Sequence, residues 1–171
     1  MQTPLHMVNQ VDREGFVRLC GAFFENSPWI AQRAFDRRPF ENLDALHRTL
    51  CETVGSASRD EQIGLIASHP DLVGRLARQG ALTSESTREQ AAAGLTSISQ
   101  AEIDQFERYN AAYREKFGFP FVICARENKK DAILAAFPIR LNNSRQQEIR
   151  SALEEIFKIA RLRLLDAVSE K

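Results

Sequence analysis

Ile149-Arg150-Ser151-Ala152-Leu153-Glu154-Glu155-Ile156-Phe157-Lys158-Ile159-Ala160-Arg161-Leu162-Arg163-Leu164 is the stretch that decides the fold. Its apolar residues Ile149, Leu153, Ile156, Phe157, Ala160 and Leu164 recur at steps of three and four, which gathers one face of a helix and not of a strand. This predicts a closing helix over 144 to 168, held by that stripe against the rest of the domain. The opposite end reads the same way. Val11, Phe16, Leu19, Cys20, Phe23 and Phe24 share one face and Arg13, Glu14, Arg18 and Glu25 the other, predicting a helix over 9 to 25.

Between them, start signals recur at the i to i+3 spacing of a capping box: Ser58 with Glu61, Ser86 with Glu89, Ser99 with Glu102 and Asn143 with Gln146. Further helices are predicted over 28 to 36, 42 to 54, 59 to 67, 70 to 79, 86 to 94, 99 to 116 and 128 to 136, separated by loops near 53 to 58 and 94 to 99. Phe119 to Ala125 is rich in β-formers but has no evident partner strand, so it reads as an extended segment entering a buried helix. The expected fold class is all-α, a single compact domain of about eight to ten helices over 1–171.

The charge balance, 23 basic against 23 acidic residues, gives no electrostatic case for nucleic acid or an anionic membrane surface, which leaves a small-molecule or protein partner. No apolar run reaches the roughly 20 residues of a membrane helix, and the opening residues lack the order of a signal peptide, so a cytoplasmic location is expected. Cys20, Cys51 and Cys124 are widely spaced among apolar neighbours and read as reduced packing thiols. No His/Cys/Asp/Glu spacing resembles a metal site, and no phosphate loop, dinucleotide fingerprint or Gly-x-Ser-x-Gly elbow is present.

His69 is the first candidate for chemistry. It stands before Pro70, which disfavours helical geometry at His69 and starts a new turn, so the imidazole is held at an interhelical corner where a side chain titrating near neutrality can move a proton. The competing role is capping or packing at a helix junction. Glu89 and Gln90 place a carboxylate and an amide side by side, able to grip a ureide or imide ring, although Glu89 also fits a capping box with Ser86. Phe117, Phe119 and Phe121 are explained by packing, and Gly118 ends the helix before them; the backbone after Pro120 can offer N–H groups to a ring carbonyl. Arg161 and Arg163 lie on opposite shoulders of the closing stripe, and periodicity does not choose which anchors a substrate carboxylate. His6 and His47 read as terminal and surface residues.

Taken together, Phe16 to Trp29, His69-Pro70-Asp71-Leu72-Val73-Gly74, Ser86-x-x-Glu89-Gln90, Phe117-Gly118-Phe119-Pro120-Phe121-Val122 and Ile159-Ala160-Arg161-Leu162-Arg163-Leu164 resemble the 2-oxo-4-hydroxy-4-carboxy-5-ureidoimidazoline (OHCU) decarboxylase family, from about residue 11 to 168. The resemblance implies an all-α, cofactor-free homodimer of urate degradation that decarboxylates OHCU to (S)-allantoin. It maps His69 onto the catalytic histidine and Glu89 beside it, with Pro70, Ser86, Glu89 and Gln90 lining the ring. It gives Phe121, Val122, Ile123 and Ala125 to the segment of backbone contacts, and Arg163 to the family's arginine, with Arg161 at a variable position. Two other readings compete: a related ureide-processing lyase of different substrate, and a non-catalytic helical interaction module, which would have no pocket.

Overall fold

Asp12 splits what periodicity reads as one amino-terminal helix. In the computed structural model, which describes residues 2–74 and 79–171, α1 (Leu5–Gln10) ends where Val11 turns extended (φ −62°, ψ 154°). The Asp12 carboxylate then caps α2 (Arg13–Cys20), accepting from Gly15 N at 2.8 Å. Apolar spacing carries across the break, because it records which side is buried and not where a side chain caps. A 3-10 turn, Gly21–Phe23, follows, and Glu25 lies beyond it, only 4% exposed and not on the solvent face its spacing suggested.

Contacts group the chain into two units, Met1–Ser68 with Phe157–Lys171, and His69–Ile156. The first holds α1 and α2, α3 (Trp29–Ala34) with a 3-10 turn at Phe35–Arg37, α4 (Leu43–Gly55), capped by Asn42 through Ala45 N at 2.8 Å, and α5 (Arg59–Ala67), which opens on the expected Ser58/Glu61 capping box. Its core centres on the buried Phe16, edge-on to Phe35 at 5.7 Å and stacked on Phe40 at 6.1 Å, with Ile30, Leu46 and Leu50 fully buried. Truncating such a phenylalanine costs roughly 3–5 kcal/mol. Thr3–Pro4 pairs in parallel with Val168–Ser169, a two-residue bridge the periodicity did not foresee.

The second unit holds α6 (Ser84–Ala92), α7 (Gln100–Phe117), a 3-10 turn at Ala125–Glu127, α8 (Lys130–Leu141) and the part of α9 (Arg145–Ala167) up to Ile156. The Ser99/Glu102 box opens α7, and Gly118, in the left-handed region at φ 80°, closes it with its N–H on Arg114 O at 2.8 Å. Phe119 to Cys124 runs without regular structure, as expected, but enters a short 3-10 turn whose Arg126 and Glu127 are exposed, and not a buried helix. Tyr113, Phe117, Phe119, Phe121 and Phe137 form the aromatic core, Phe121 stacking on Phe137 at 3.9 Å.

Other helix boundaries also depart from expectation. Of the helix read over 70 to 79, residues 70–74 are turn and coil, and 75–78 lie outside the described residues. The 86 to 94 helix spans Ser84–Ala92, and the 128 to 136 helix runs on through Pro138 to Leu141, since one missing N–H removes a hydrogen bond without ending the helix. The closing helix's box is Ser144 with Gln147, one residue beyond Asn143 with Gln146. The all-α class stands: among the described residues the regular structure is helical apart from the two-residue pair. Among them no helix is long and apolar enough to cross a membrane.

Candidate active site

α5 stops at Ala67, Ser68 turns its N–H onto Gly64 O at 3.0 Å, and His69 begins the next unit at the corner the His-Pro pair predicts. The imidazole is 7% exposed and its Nε2 atom is sealed from solvent. The loop behind it is strained and over-determined. Val73 holds a left-handed φ of 55°, which costs a β-branched residue on the order of 1–3 kcal/mol. Gly74 follows where a Cβ would come within 2.8 Å of the Asp71 Cβ, so no other residue fits without a shift. Asn110 Nδ2 donates to Leu72 O at 2.9 Å, and Arg114 Nε binds both Asp71 oxygens at 2.9 and 3.1 Å.

Gln90 supplies the remaining ties, its Oε1 accepting from Val73 N at 3.1 Å and its Nε2 donating to Asp71 O at 3.4 Å. The amide expected to read the substrate therefore also holds the loop that carries His69. Glu89 changes meaning too. The cap of α6 is Thr83, which accepts from Ser86 N at 3.2 Å, so Ser86 is a residue of the first turn and the Ser86/Glu89 capping box does not form. Ser86, Glu89 and Gln90, at i, i+3 and i+4, instead make a buried polar face, 5%, 9% and 5% exposed. Such a face is normally apolar, since a buried carboxylate costs several kcal/mol before its partners compensate it.

α6 packs on the 3-10 turn at 125–127, and Ala93 O beyond its end accepts from Lys130 N at 3.1 Å. Glu89 and Glu155 both act electrostatically on the Cys124 thiol; burial first, then Glu127, raises its pKa to about 11. Burial likewise pushes Cys20 and Cys51 up to about 12, so all three free thiols stay protonated at neutral pH and none is a ready nucleophile. The Phe121 ring is core, so the ligand contacts expected of Phe121 are open only to its backbone. Val122, Ala125 and Pro120 are buried or backbone-bound beside it, and Ile123 is the one residue from Phe119 to Ala125 that is not fully buried. Pro70 is half-buried next to His69. A cavity of 270 Å³ lies along α6, lined by Val73, Thr87, Gln90, Leu95, Ile98 and Ile103 among others, where an interaction module would have none.

Arg163 belongs to the first unit. Its Nη1 and Nη2 both donate to Glu25 Oε2 at 3.1 Å, with the two side chains 6% and 3% exposed. Ser68 Oγ ties the Glu25 carbonyl at 2.7 Å. Arg161 pairs instead with the exposed Asp44 at 2.5 Å. His47 is not a surface residue: it is half-buried, with Nε2 on Phe157 O at 2.9 Å, and burial lowers its pKa. Sequence reasoning missed Glu25, Asn110, Arg114, Arg140 and Glu155. Asn110 and Arg114 do stand one helical turn apart, the spacing at which two side chains reach one loop.

A sequence model of the family described as OHCU decarboxylase matches residues 9–165. The chain is 41% identical over 170 residues to the 2-oxo-4-hydroxy-4-carboxy-5-ureidoimidazoline decarboxylase of Haloferax volcanii, covering 99% of each protein. It is 42% identical over 164 residues to the protein of that name from Amia calva, covering 96% of this chain and 94% of the relative. A crystal structure of (S)-allantoin synthase matches 98% of the chain with a TM-score of 0.79 at 26% identity, this chain spanning 54% of that one. The His-Pro corner, the buried Ser-x-x-Glu-Gln face and the Phe-Pro-Phe-Val segment stand inside matches that run nearly end to end, and the chain belongs to the OHCU decarboxylase family.

Proposed function

We propose that this protein decarboxylates OHCU to (S)-allantoin in urate degradation. The observation that carries the chemistry is the buried Ser86, Glu89 and Gln90 face of α6, bonded through Gln90 to the loop that follows His69. A stability-driven helix would bury apolar groups there. Buried polar groups fixed on a helix, one of them tied to a strained loop, are what orientation of a polar ring requires.

The substrate carries its own electron sink. When the bond from C4 to the carboxylate breaks, its electron pair moves into a C4=C5 double bond as the imine nitrogen at C5 takes a proton. The resulting enol passes its hydroxyl proton toward His69 and gains a proton on one face of C5, so one proton is consumed and carbon dioxide leaves. His69 bonds the C4 hydroxyl, Ser86, Glu89 and Gln90 with Pro70 hold the ring and ureido groups, and backbone of the Phe121, Val122, Ile123 and Ala125 segment completes the contacts. The family motif gives Arg163 the substrate carboxylate, with Glu25 fixing its guanidinium. The same reading takes 1–171 as one decarboxylase domain acting as a cytoplasmic homodimer, supported by the family likeness and tested by light scattering and fractionation.

Circular dichroism during urate oxidation, with urate oxidase and the ring hydrolase present, tests the activity. Added protein should give rapid optically active allantoin, and slow, optically silent product with and without it would refute decarboxylation. His69→Ala should cut turnover on the order of 10²-fold or more with the fold intact.

A further inference from the structure

The segment from Phe119 to Cys124 has no ladder of its own, so its shape is imposed by side chains. Two of them act on neighbouring peptides. Arg140 Nη1 donates to Val122 O at 2.6 Å, and Cys124 N donates to Glu155 Oε2 at 2.8 Å. Arg140 is itself locked: its Nε donates to Glu148 Oε2 at 2.9 Å, Glu148 is fully buried, and Glu148 also accepts from Asn143 Nδ2 at 2.7 Å and from the Tyr113 hydroxyl. Glu148 and Glu155 stand seven residues apart, on one side of α9.

A trans peptide points its C=O and the next N–H in opposite directions. The only cis bond among the described residues is Arg38–Pro39, so Val122 O on Arg140 turns Ile123 N–H away from Arg140. Cys124 N–H on Glu155 likewise turns Ile123 C=O away from Glu155. No hydrogen bond among the described residues uses either group of Ile123, and Ile123 is the one residue of Phe119 to Ala125 not fully buried. We propose that Arg140 and Glu155 are positioning residues that clamp the two peptides flanking Ile123, so that its N–H and C=O are presented together as the donor and acceptor that read a ureide edge. This rests on the decarboxylase reading above. Glu155 occupies the Cys124 amide with a carboxylate, so the substrate's own carboxylate is kept off this segment and the neutral ureide is admitted.

Arg140→Ala would strand the buried Glu148, so the test is made on the half-buried Glu155. Glu155→Ala should speed hydrogen exchange at the Cys124 amide and lower kcat for OHCU about tenfold, roughly the loss of one hydrogen bond, with a fall in Tm of no more than about 4 °C. Glu155→Gln keeps an acceptor oxygen and should restore kcat to within about threefold. Wild-type kcat and KM in Glu155→Ala, despite faster exchange at Cys124, would overturn the clamp and leave decarboxylation standing. Should the wild type fail to turn over OHCU, the Ile123 amide shift on adding allantoin still decides. A shift in wild type and Glu155→Gln but not in Glu155→Ala upholds the clamp, and the same response in all three overturns it.

Discussion

Replacing Glu25 with alanine should be among the most destabilising single changes in the first unit. Its carboxylate accepts two hydrogen bonds from Arg163 at 3.1 Å, and the side chains are 3% and 6% exposed. An exposed ion pair contributes about 0–1 kcal/mol because water screens it and its long side chains lose entropy. Here burial removes the screening, and deleting the carboxylate takes from a buried guanidinium the charge that accepts two of its hydrogen bonds, a cost of about 3–5 kcal/mol. At roughly 2–4 °C per kcal/mol for a chain of this length, Tm should fall by about 6–20 °C. Urea denaturation of wild type, Glu25→Ala, Arg163→Met and the double variant Glu25→Leu with Arg163→Met measures the coupling. The double variant should recover most of the stability, because two apolar side chains do not strand a charge. A loss below about 1 kcal/mol in Glu25→Ala, or a double variant no better than the worse single one, would refute the argument that the buried charge governs the effect.

Other expectations follow from the capping and loop geometry. Thr83→Ala should cost about 1 kcal/mol in urea denaturation, as the loss of the α6 cap, whereas a larger cost for Ser86→Ala would contradict the assignment of Thr83 as that cap. Gln90→Ala releases both Asp71 O and Val73 N, so it should lower kcat and loosen amide protection over 72–74; a rise in KM alone would show that Gln90 only binds substrate. The Lys130 ammonium, then the Ser99 amide and hydroxyl, hold Glu102 at a pKa of about 2, below its unfolded value near 4.3. Its stabilisation is therefore complete above about pH 4.3 and lost as pH falls toward 2, and Glu102→Gln should flatten the decline in urea midpoint across that window.

Helices were legible in the chain because burial leaves a periodic trace. The closing stripe Ile149, Ile156, Ala160 and Leu164 is buried, and the Ser58 and Ser99 boxes open helices where their i to i+3 spacing placed them. Boundaries set by one side chain left no such trace. Asp12 interrupts a face whose apolar spacing continues, and Thr83 captures α6 ahead of Ser86 because its hydroxyl accepts from the Ser86 amide three residues on. The two-residue pairing of Thr3–Pro4 with Val168–Ser169 joins residues far apart in sequence and has no local signal at all.

The site shows the same division more sharply. His69 was findable because proline dictates the backbone beside it, and Gly118 because only a left-handed residue closes α7 that way. Helical spacing puts Glu25 on the solvent face only if α2 is extended past its end, so the wheel hides the carboxylate that fixes the Arg163 guanidinium. The Glu89 case inverts this. A capping box accounted for it well enough on local grounds to weaken any functional reading, yet moving the cap three residues upstream leaves a carboxylate in the middle of a helix and 9% exposed. Burying that group works against folding unless its surroundings compensate, and a helix selected only for packing would have an apolar residue there. Moving one helix cap by three residues thus turns Glu89 from a structural side chain into the strongest local argument for chemistry on α6.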